Sequence, residues 1–283
     1  MIKRIITSLI LDTIAIIILA YSHTFIGSIF FLLMLTGVAA FGLYEFYYIV
    51  EKKGGTSLMA FGVITGIIYC AMAFFTSANK IYTIHTDVFE VLLVAIIVSF
   101  FIFHILRSDK SSVIYNFGAT IAGMLYVAWF LAFAAKINYY PVGESEIDGR
   151  WYIILLVAIT KGGDSAAYLI GSKYGIHKLC SKISPKKTLE GAIAHVVTGI
   201  LAALIFKYTI SGGITLIQAI TVGVSLSIIA QFGDITESLL KRDAQVKDSG
   251  THFKEIGGVL DVIDSILFAL PLLYYLMDFW LIG

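Results

Sequence analysis

Acidic side chains stand within strongly apolar segments in the second half of this chain. The four of most interest are Asp164, Asp234, Asp261 and Asp264. Charge inside or beside a bilayer is costly unless it is paired or binds something. The spacing i, i+3 puts Asp261 and Asp264 on one face of a helix, as it does Asp234 and Glu237. Carboxylates brought together repel each other or take up protons unless a cation offsets them, so these residues predict a divalent cation site.

The type of ligand indicates which cation to expect. Aspartate oxygens without a nearby Cys or His pattern favour Mg²⁺ over zinc. Mg²⁺ keeps water ligands and is usually completed by substrate phosphate, which makes a nucleoside triphosphate the expected partner. Taken alone, Asp261 and Asp264 are equally well explained as favourable charge in the first turn of a helix.

A basic segment, SPKKTLEG, begins at Ser184 and precedes one of the apolar stretches. Either Ser184 or Thr188 is suited to cap the helix that follows. Paired lysines at a helix start, here Lys186 and Lys187, suit a triphosphate because ammonium groups and free backbone N–H groups converge there. A positive flank of a membrane helix would look the same.

A longer polar segment runs from Ser238 to Asp264 and reads SLLKRDAQVKDSGTHFKEIGGVLDVID. Its Lys241, Arg242 and Lys247 are predicted to hold further phosphate charge. The sequence contains no G-x-x-x-x-G-K-[ST] loop, which argues against a P-loop ATPase.

Three other polar residues have structural interpretations. Lys161 stands at i, i+3 from Asp164, so the two would neutralise each other, although the glycine pair between them loosens the helix. We interpret His195 as a packed helix residue. Glu45 is interpreted as structural, either snorkelling or paired with Lys52 or Lys53.

The elements that must position these residues are membrane helices. The 283 residues are 59% hydrophobic and 14% charged, with three prolines, far from an average soluble domain. Apolar runs long enough to cross a bilayer recur along the chain and predict an all-α, polytopic integral membrane protein. We predict about nine transmembrane helices, at 5–22, 25–48, 56–77, 86–106, 113–135, 151–171, 188–208, 213–236 and 259–280.

Basic residues predict the orientation of these helices. With the N-terminus inside, 15 of the 20 Lys and Arg residues fall on the inner face, which also receives all of the polar clusters. A single transmembrane domain over 1–283 is expected, with 1–150 supplying scaffold helices for dimer or lipid contact and 151–283 the catalytic helices and inner loops. The net charge of +1 gives no reason to expect a nucleic acid partner.

The spacing of the polar residues resembles a known signature, that of the phosphatidate cytidylyltransferases or CDP-diacylglycerol synthases. The resemblance is carried by SPKKTLEG and by three groups of positions: Asp164, Ala167-Tyr168, Gly171 and Gly175; Ser238, Lys241-Arg242, Lys247-Asp248 and Gly250; Gly257-Gly258, Asp261 and Asp264. The chain departs from the family pattern where the family usually has His (Ile256), Arg (Val262) and often glycines (Ala194 and His195). His252 and Lys254 lie close to the altered positions and are hypothesised to replace the lost groups.

The resemblance implies a reaction and roles for the residues. CTP and phosphatidate would give CDP-diacylglycerol and pyrophosphate at the cytoplasmic side of a bacterial-type inner membrane. Mg²⁺, with a second metal or a monovalent cation as a further option, would be held by Asp164, Asp234 and Asp261. The implied catalytic residues are Asp234, Asp261, Lys241, Arg242 and Asp264. The implied substrate-binding residues are Ser184, Lys186, Lys187, Thr188, Glu190, Lys247, Asp248, Gly257 and Gly258, and known members of the family imply a homodimer.

Three alternatives remain open from the sequence. A CTP-dependent lipid kinase would use similar groups but release CDP. A cytidylyltransferase acting on another lipid phosphate would share the site. An anion transporter could use the acidic residues as an ion-coupling site, although the chain has no internal repeat and its charge lies near the inner face.

Overall fold

The computed structural model describes residues 2–55, 58–78, 85–107, 112–141, 147–210, 214–250 and 257–281. In these ranges the chain is almost entirely helical, as the sequence predicts. The helices are α1 (Ile2–Tyr21), α2 (Phe25–Lys52), α3 (Met59–Ala78), α4 (His85–Arg107), α5 (Val113–Asn138), α6 (Gly149–Tyr174), α7 (Leu189–Thr209), α8 (Leu216–Asp243) and α9 (Val259–Leu281). Helix α5 contains a π-helical segment at Met124–Trp129, and α9 ends in another at Met277–Leu281.

Seven of the described helices are long and apolar enough to cross a membrane: α2, α3 and α5 to α9. Their most apolar windows have mean hydropathies between 1.6 and 2.2. Helices α1 and α4 contribute shorter apolar stretches, Ile10–Tyr21 and Val91–Leu106. The prediction of an all-α, polytopic membrane protein is confirmed, whereas the count of nine spans stays a prediction.

A short antiparallel hairpin interrupts the helices between α6 and α7. Strand β1 (Lys178–Cys180) pairs with β2 (Ser184–Thr188), with Lys178 opposite Thr188. The sequence predicts only a polar loop here. The last residue of β2 is followed directly by the first residue of α7. The two lysines of SPKKTLEG therefore lie on the strand, immediately before the start of α7.

Helices α6, α7 and α8 pack closely because small residues face each other at the crossings. A Cβ atom on Gly199 of α7 would lie 2.8 Å from the carbonyl oxygen of Gly223 on α8, and one on Gly223 would lie 2.7 Å from the Cα of Ile200. Small residues allow membrane helices to approach at the level of their backbones. One turn earlier on α7, the ring of His195 covers Gly163 of α6, where a Cβ would lie 2.5 Å from the ring.

This close crossing gives a stability prediction. Replacing Gly223 with alanine is expected to lower the free energy of unfolding by about 2 kcal/mol, because two backbones must separate to admit the methyl group. Thermal unfolding in detergent measures the change. Gly37→Ala is the matched control, since nothing lies within 4 Å of a Cβ at that helical position. An equal loss in the two variants would show that the α7–α8 contact is not tight.

Candidate active site

Three aspartates from three helices form an acidic group. Asp264 of α9 is buried and interacts electrostatically with Asp234 of α8 and Asp164 of α6. The side chains of Asp164 and Asp234 are 41% and 35% exposed, so both remain accessible from outside the protein. The structure therefore brings together three of the four aspartates that the sequence singles out.

A lysine of the hairpin contacts this acidic group. Lys187 of β2 forms an ion pair with Asp234, with 2.8 Å between Nζ and Oδ2. The next residue, Thr188, is the N-cap of α7, and its Oγ1 accepts a hydrogen bond of 3.2 Å from the backbone N–H of Gly191. Of the two capping candidates, the structure thus selects Thr188. The lysine pair precedes the N-terminus of α7, the end that attracts anions.

Asp261 occupies a separate position at the start of α9. Its Oδ2 accepts hydrogen bonds from the backbone N–H of Gly258 (2.8 Å) and from the N–H (3.1 Å) and hydroxyl (2.9 Å) of Ser249. Its Oδ1 accepts from Lys241, which also forms an ion pair with the buried Glu237. Asp261 therefore caps α9 and holds Ser249 against the start of this helix. Its predicted role as a metal ligand stays a prediction.

A glutamate from the first half of the chain also accepts hydrogen bonds at the start of α9. Glu45 of α2 is 1% exposed, and its carboxylate accepts from the N–H groups of Val259 (3.0 Å) and Leu260 (2.8 Å) and from the Ser249 hydroxyl (3.0 Å). The structural role expected for Glu45 is present, but with partners other than those proposed. Lys53 forms its ion pair with Asp243, at 2.8 Å.

Glycines make room for these two carboxylates. A Cβ on Gly258 would lie 2.2 Å from Glu45 Oε2, and one on Gly250 would lie 2.4 Å from Glu45 Oε1. Gly257 has φ +116°, a conformation that L side chains rarely adopt. A side chain on either of the predicted substrate-binding glycines, Gly257 or Gly258, would therefore collide with the carboxylate of Asp261 or Glu45.

The remaining predicted residues contact other parts of the protein or are exposed. Arg242 donates through Nε to the carbonyl of Ile183 at 3.3 Å, which ties the end of α8 to the hairpin turn. Glu190 accepts from Nδ1 of His177 at 2.7 Å and from its backbone N–H at 3.2 Å, holding the hairpin against α7. Ser184 pairs with Cys180 in the hairpin. Lys186, Lys247 and Asp248 are exposed, and His252, Lys254 and Ile256 lie outside the described residues.

Two polar residues behave differently from their simple sequence interpretation. Lys161 donates from Nζ to the carbonyl of Val262 on α9. Asp164 lies near the buried His195, with 3.5 Å between Oδ1 and Nε2. Lys161, Glu45 and Ser249 were not among the predicted site residues. The available signal for the first two was a charge inside an apolar stretch.

The donor set can be tested against the predicted Mg²⁺. Within the described parts of the chain, no three His, Cys, Asp or Glu residues are placed to hold a metal ion by themselves. Asp164, Asp234 and Asp264 nevertheless lie near enough to interact, and they offer the hard oxygen atoms that Mg²⁺ prefers. They fit a cation whose shell is completed by water and substrate phosphate. Mg²⁺ itself stays a prediction.

The sequence of the chain is similar to those of known proteins. The chain is 32% identical to the phosphatidate cytidylyltransferase of Chlamydia muridarum over 253 residues, which cover 84% of this chain and 80% of that protein. It is 29% identical to the Synechocystis phosphatidate cytidylyltransferase over 278 residues, 91% of each chain. Over 129 residues, 46% of this chain and 48% of the relative, it is 40% identical to the Bacillus subtilis phosphatidate cytidylyltransferase. The sequence profile of the cytidylyltransferase family matches residues 2–280, so the chain belongs to that family.

Proposed function

We propose that this protein is a CTP:phosphatidate cytidylyltransferase, which makes CDP-diacylglycerol and pyrophosphate for phospholipid synthesis. The observation that carries the proposal is the family match over residues 2–280, together with relatives named for this activity that cover most of the chain. The acidic group lies on membrane helices and is contacted by Lys187 of the hairpin, a place where a lipid phosphate and a water-soluble nucleotide can meet.

The reaction needs positioning and charge compensation more than a side-chain nucleophile. An oxygen of the phosphatidate phosphate attacks the α-phosphorus of CTP, the bond between that phosphorus and the oxygen bridging to the β-phosphate breaks, and pyrophosphate leaves. Lys187, next to Asp234 and one residue before the cap of α7, is placed to attract the triphosphate. Lys186, Lys241, Arg242 and Lys247 are proposed to hold further phosphate charge.

The proposed cofactor is Mg²⁺, for which the acidic group of Asp164, Asp234 and Asp264 offers the ligands, with Asp261, the remaining predicted ligand, at the start of the same helix as Asp264. When bound, it would offset negative charge on the attacking and leaving oxygens. Other residues of the chain would position the lysines and carboxylates of the site. Thr188 fixes the direction of the lysine pair, and Ser249 with Gly258 fixes the carboxylate of Asp261.

We also propose that the protein lies in the bacterial inner membrane with its site on the cytoplasmic side, because most of its basic residues border the inner ends of the predicted helices. A homodimer remains a prediction of the family resemblance. Its mass in detergent, measured by light scattering with correction for bound detergent, tests it.

The deciding experiment is an assay of pyrophosphate release by the purified protein. The protein in detergent is given CTP, phosphatidate and Mg²⁺, and each component is omitted in turn. Pyrophosphate and CDP-diacylglycerol formed only when both substrates are present support the proposal. Release of CDP instead identifies a CTP-dependent lipid kinase. Turnover with a different lipid phosphate alone identifies another lipid substrate, and solute uptake by proteoliposomes without pyrophosphate identifies a transporter.

A further inference from the structure

A lysine inside α6 reaches across to the helix that carries Asp261 and Asp264. Lys161 lies at the middle of Gly149–Tyr174, a helix long and apolar enough to span the membrane. Its Nζ donates to the backbone carbonyl of Val262, the residue after Asp261. An ammonium group within a membrane helix is costly and marks a functional position by default, so this contact calls for a reason beyond packing.

The charges around the site indicate why Lys161 is present at this position. Asp234 has Lys187 as its ion-pair partner, and Asp261 shares Lys241 with Glu237. A further carboxylate, that of Asp264, is buried and interacts with Lys161. Buried carboxylates of like charge need compensation to stay ionised together. Asp234, Asp261 and Asp264 therefore each interact with a different lysine, whereas Asp164 lies beside His195.

The contact with Val262 also leaves Lys161 capacity for a ligand. An ammonium group has three N–H donors, and the carbonyl takes one. The side chain is only partly buried, so the remaining donors lie beside a site that Asp164 and Asp234 keep accessible. Val262 is also the position where the sequence departs from the family by lacking Arg. The charge here comes from α6 and not from α9.

We propose that Lys161 is a positioning residue that supplies the fixed positive charge of the acidic group, balancing Asp264 and favouring the entry of CTP phosphates. The inference rests on the proposed function for its substrate. Its charge-balancing part can be tested in the protein without substrate.

Lys161→Met removes the charge and keeps the length of the side chain. Without a fixed cation the site becomes more negative, so Mg²⁺ is expected to raise the unfolding temperature at about one tenth of the concentration that wild type requires. At saturating Mg²⁺, the KM for CTP is expected to rise about tenfold. Lys161→Arg should stay close to wild type in both measurements. Purely structural loss would lower stability without moving Mg²⁺ affinity and KM in these opposed directions.

Lys207→Met is the matched control. Lys207 also donates from a membrane helix to a backbone carbonyl, that of Ile214, and neither residue belongs to the acidic group. A Lys161→Met protein that behaves like Lys207→Met overturns the proposal. Adding Val262→Arg to Lys161→Met restores a positive charge from α9 and should reverse both shifts; failure to reverse them also counts against it.

The two proposals fail in different ways. If wild type releases no pyrophosphate, the proposed function is wrong, while the Mg²⁺ titration of unfolding still decides the role of Lys161. If wild type is active and the Mg²⁺ midpoint is the same in wild type and Lys161→Met, the function stands and the charge-balancing role does not.

Discussion

Replacing Asp234 with asparagine is expected to lower the rate of pyrophosphate release about a thousandfold at saturating CTP and phosphatidate. Asp234 is the carboxylate in contact with Lys187 and is still 35% exposed, so it borders the space where phosphates would bind. An amide keeps the shape of the side chain and removes the charge. Initial rates of pyrophosphate release, measured with the unfolding temperature of the same preparation, check this prediction.

Asp243→Asn is the matched control because Asp243 belongs to the same helix. Its side chain is 63% exposed and pairs with Lys53 on the surface, where an ion pair contributes little to stability. Activity of Asp243→Asn is therefore expected to stay within about twofold of wild type. Retention of most activity in Asp234→Asn would remove Asp234 from the catalytic residues.

Much of the fold could be predicted because bilayer helices must be long and apolar. The polar ends of the helices were harder to place. The predicted segment 213–236 stops just before Glu237 and the charged residues that follow it, yet α8 continues to Asp243. Its polar last turns are stabilised by contacts with other elements, such as Lys241 with Asp261 and Arg242 with the carbonyl of Ile183. Hydropathy averaged along the sequence contains no information about such tertiary contacts.

The site was predictable in its residue types but only partly in its groupings. Spacing along the chain indicates that Asp234 and Asp261 belong near the same end of the bundle. It does not reveal that Asp261 accepts hydrogen bonds from Ser249 and Gly258, or that Asp264 interacts with Asp164 and Asp234. Such groupings depend on how helices rotate and cross. Here the crossings are set by small residues, for example Gly199 against Gly223.

The partners of Glu45 were also not predictable from the sequence. Its position within an apolar helix marks it as unusual, but its partners lie more than 200 residues away in the sequence. A nearby Lys52 or Lys53 was the natural choice from local spacing. Backbone N–H groups at the start of a helix are equally good partners for a carboxylate, and only the packing of α2 against α9 selects them.

Replacing Glu45 with alanine is therefore expected to reduce both stability and activity. Two backbone donors, the N–H groups of Val259 and Leu260, would lose their buried acceptor, whereas the Ser249 hydroxyl keeps Asp261 as its acceptor. The expected loss is about 3 kcal/mol in the free energy of unfolding, since buried donors left without partners are costly. Because the start of α9 carries Asp261, we also expect kcat to fall at temperatures where the variant remains folded. Thermal unfolding and pyrophosphate release measure the two effects.

Glu45→Gln separates acceptor geometry from charge. Glutamine keeps one acceptor oxygen but turns an NH₂ group toward donors, so its stability should lie between those of Glu45→Ala and wild type. Glu51→Gln, an exposed position on the same helix, is the control and should unfold within about 0.5 kcal/mol of wild type. Wild-type stability in Glu45→Ala would mean that Glu45 does not hold the start of α9. Full stability loss with an unchanged kcat would mean that this end of α9 does not position the chemistry.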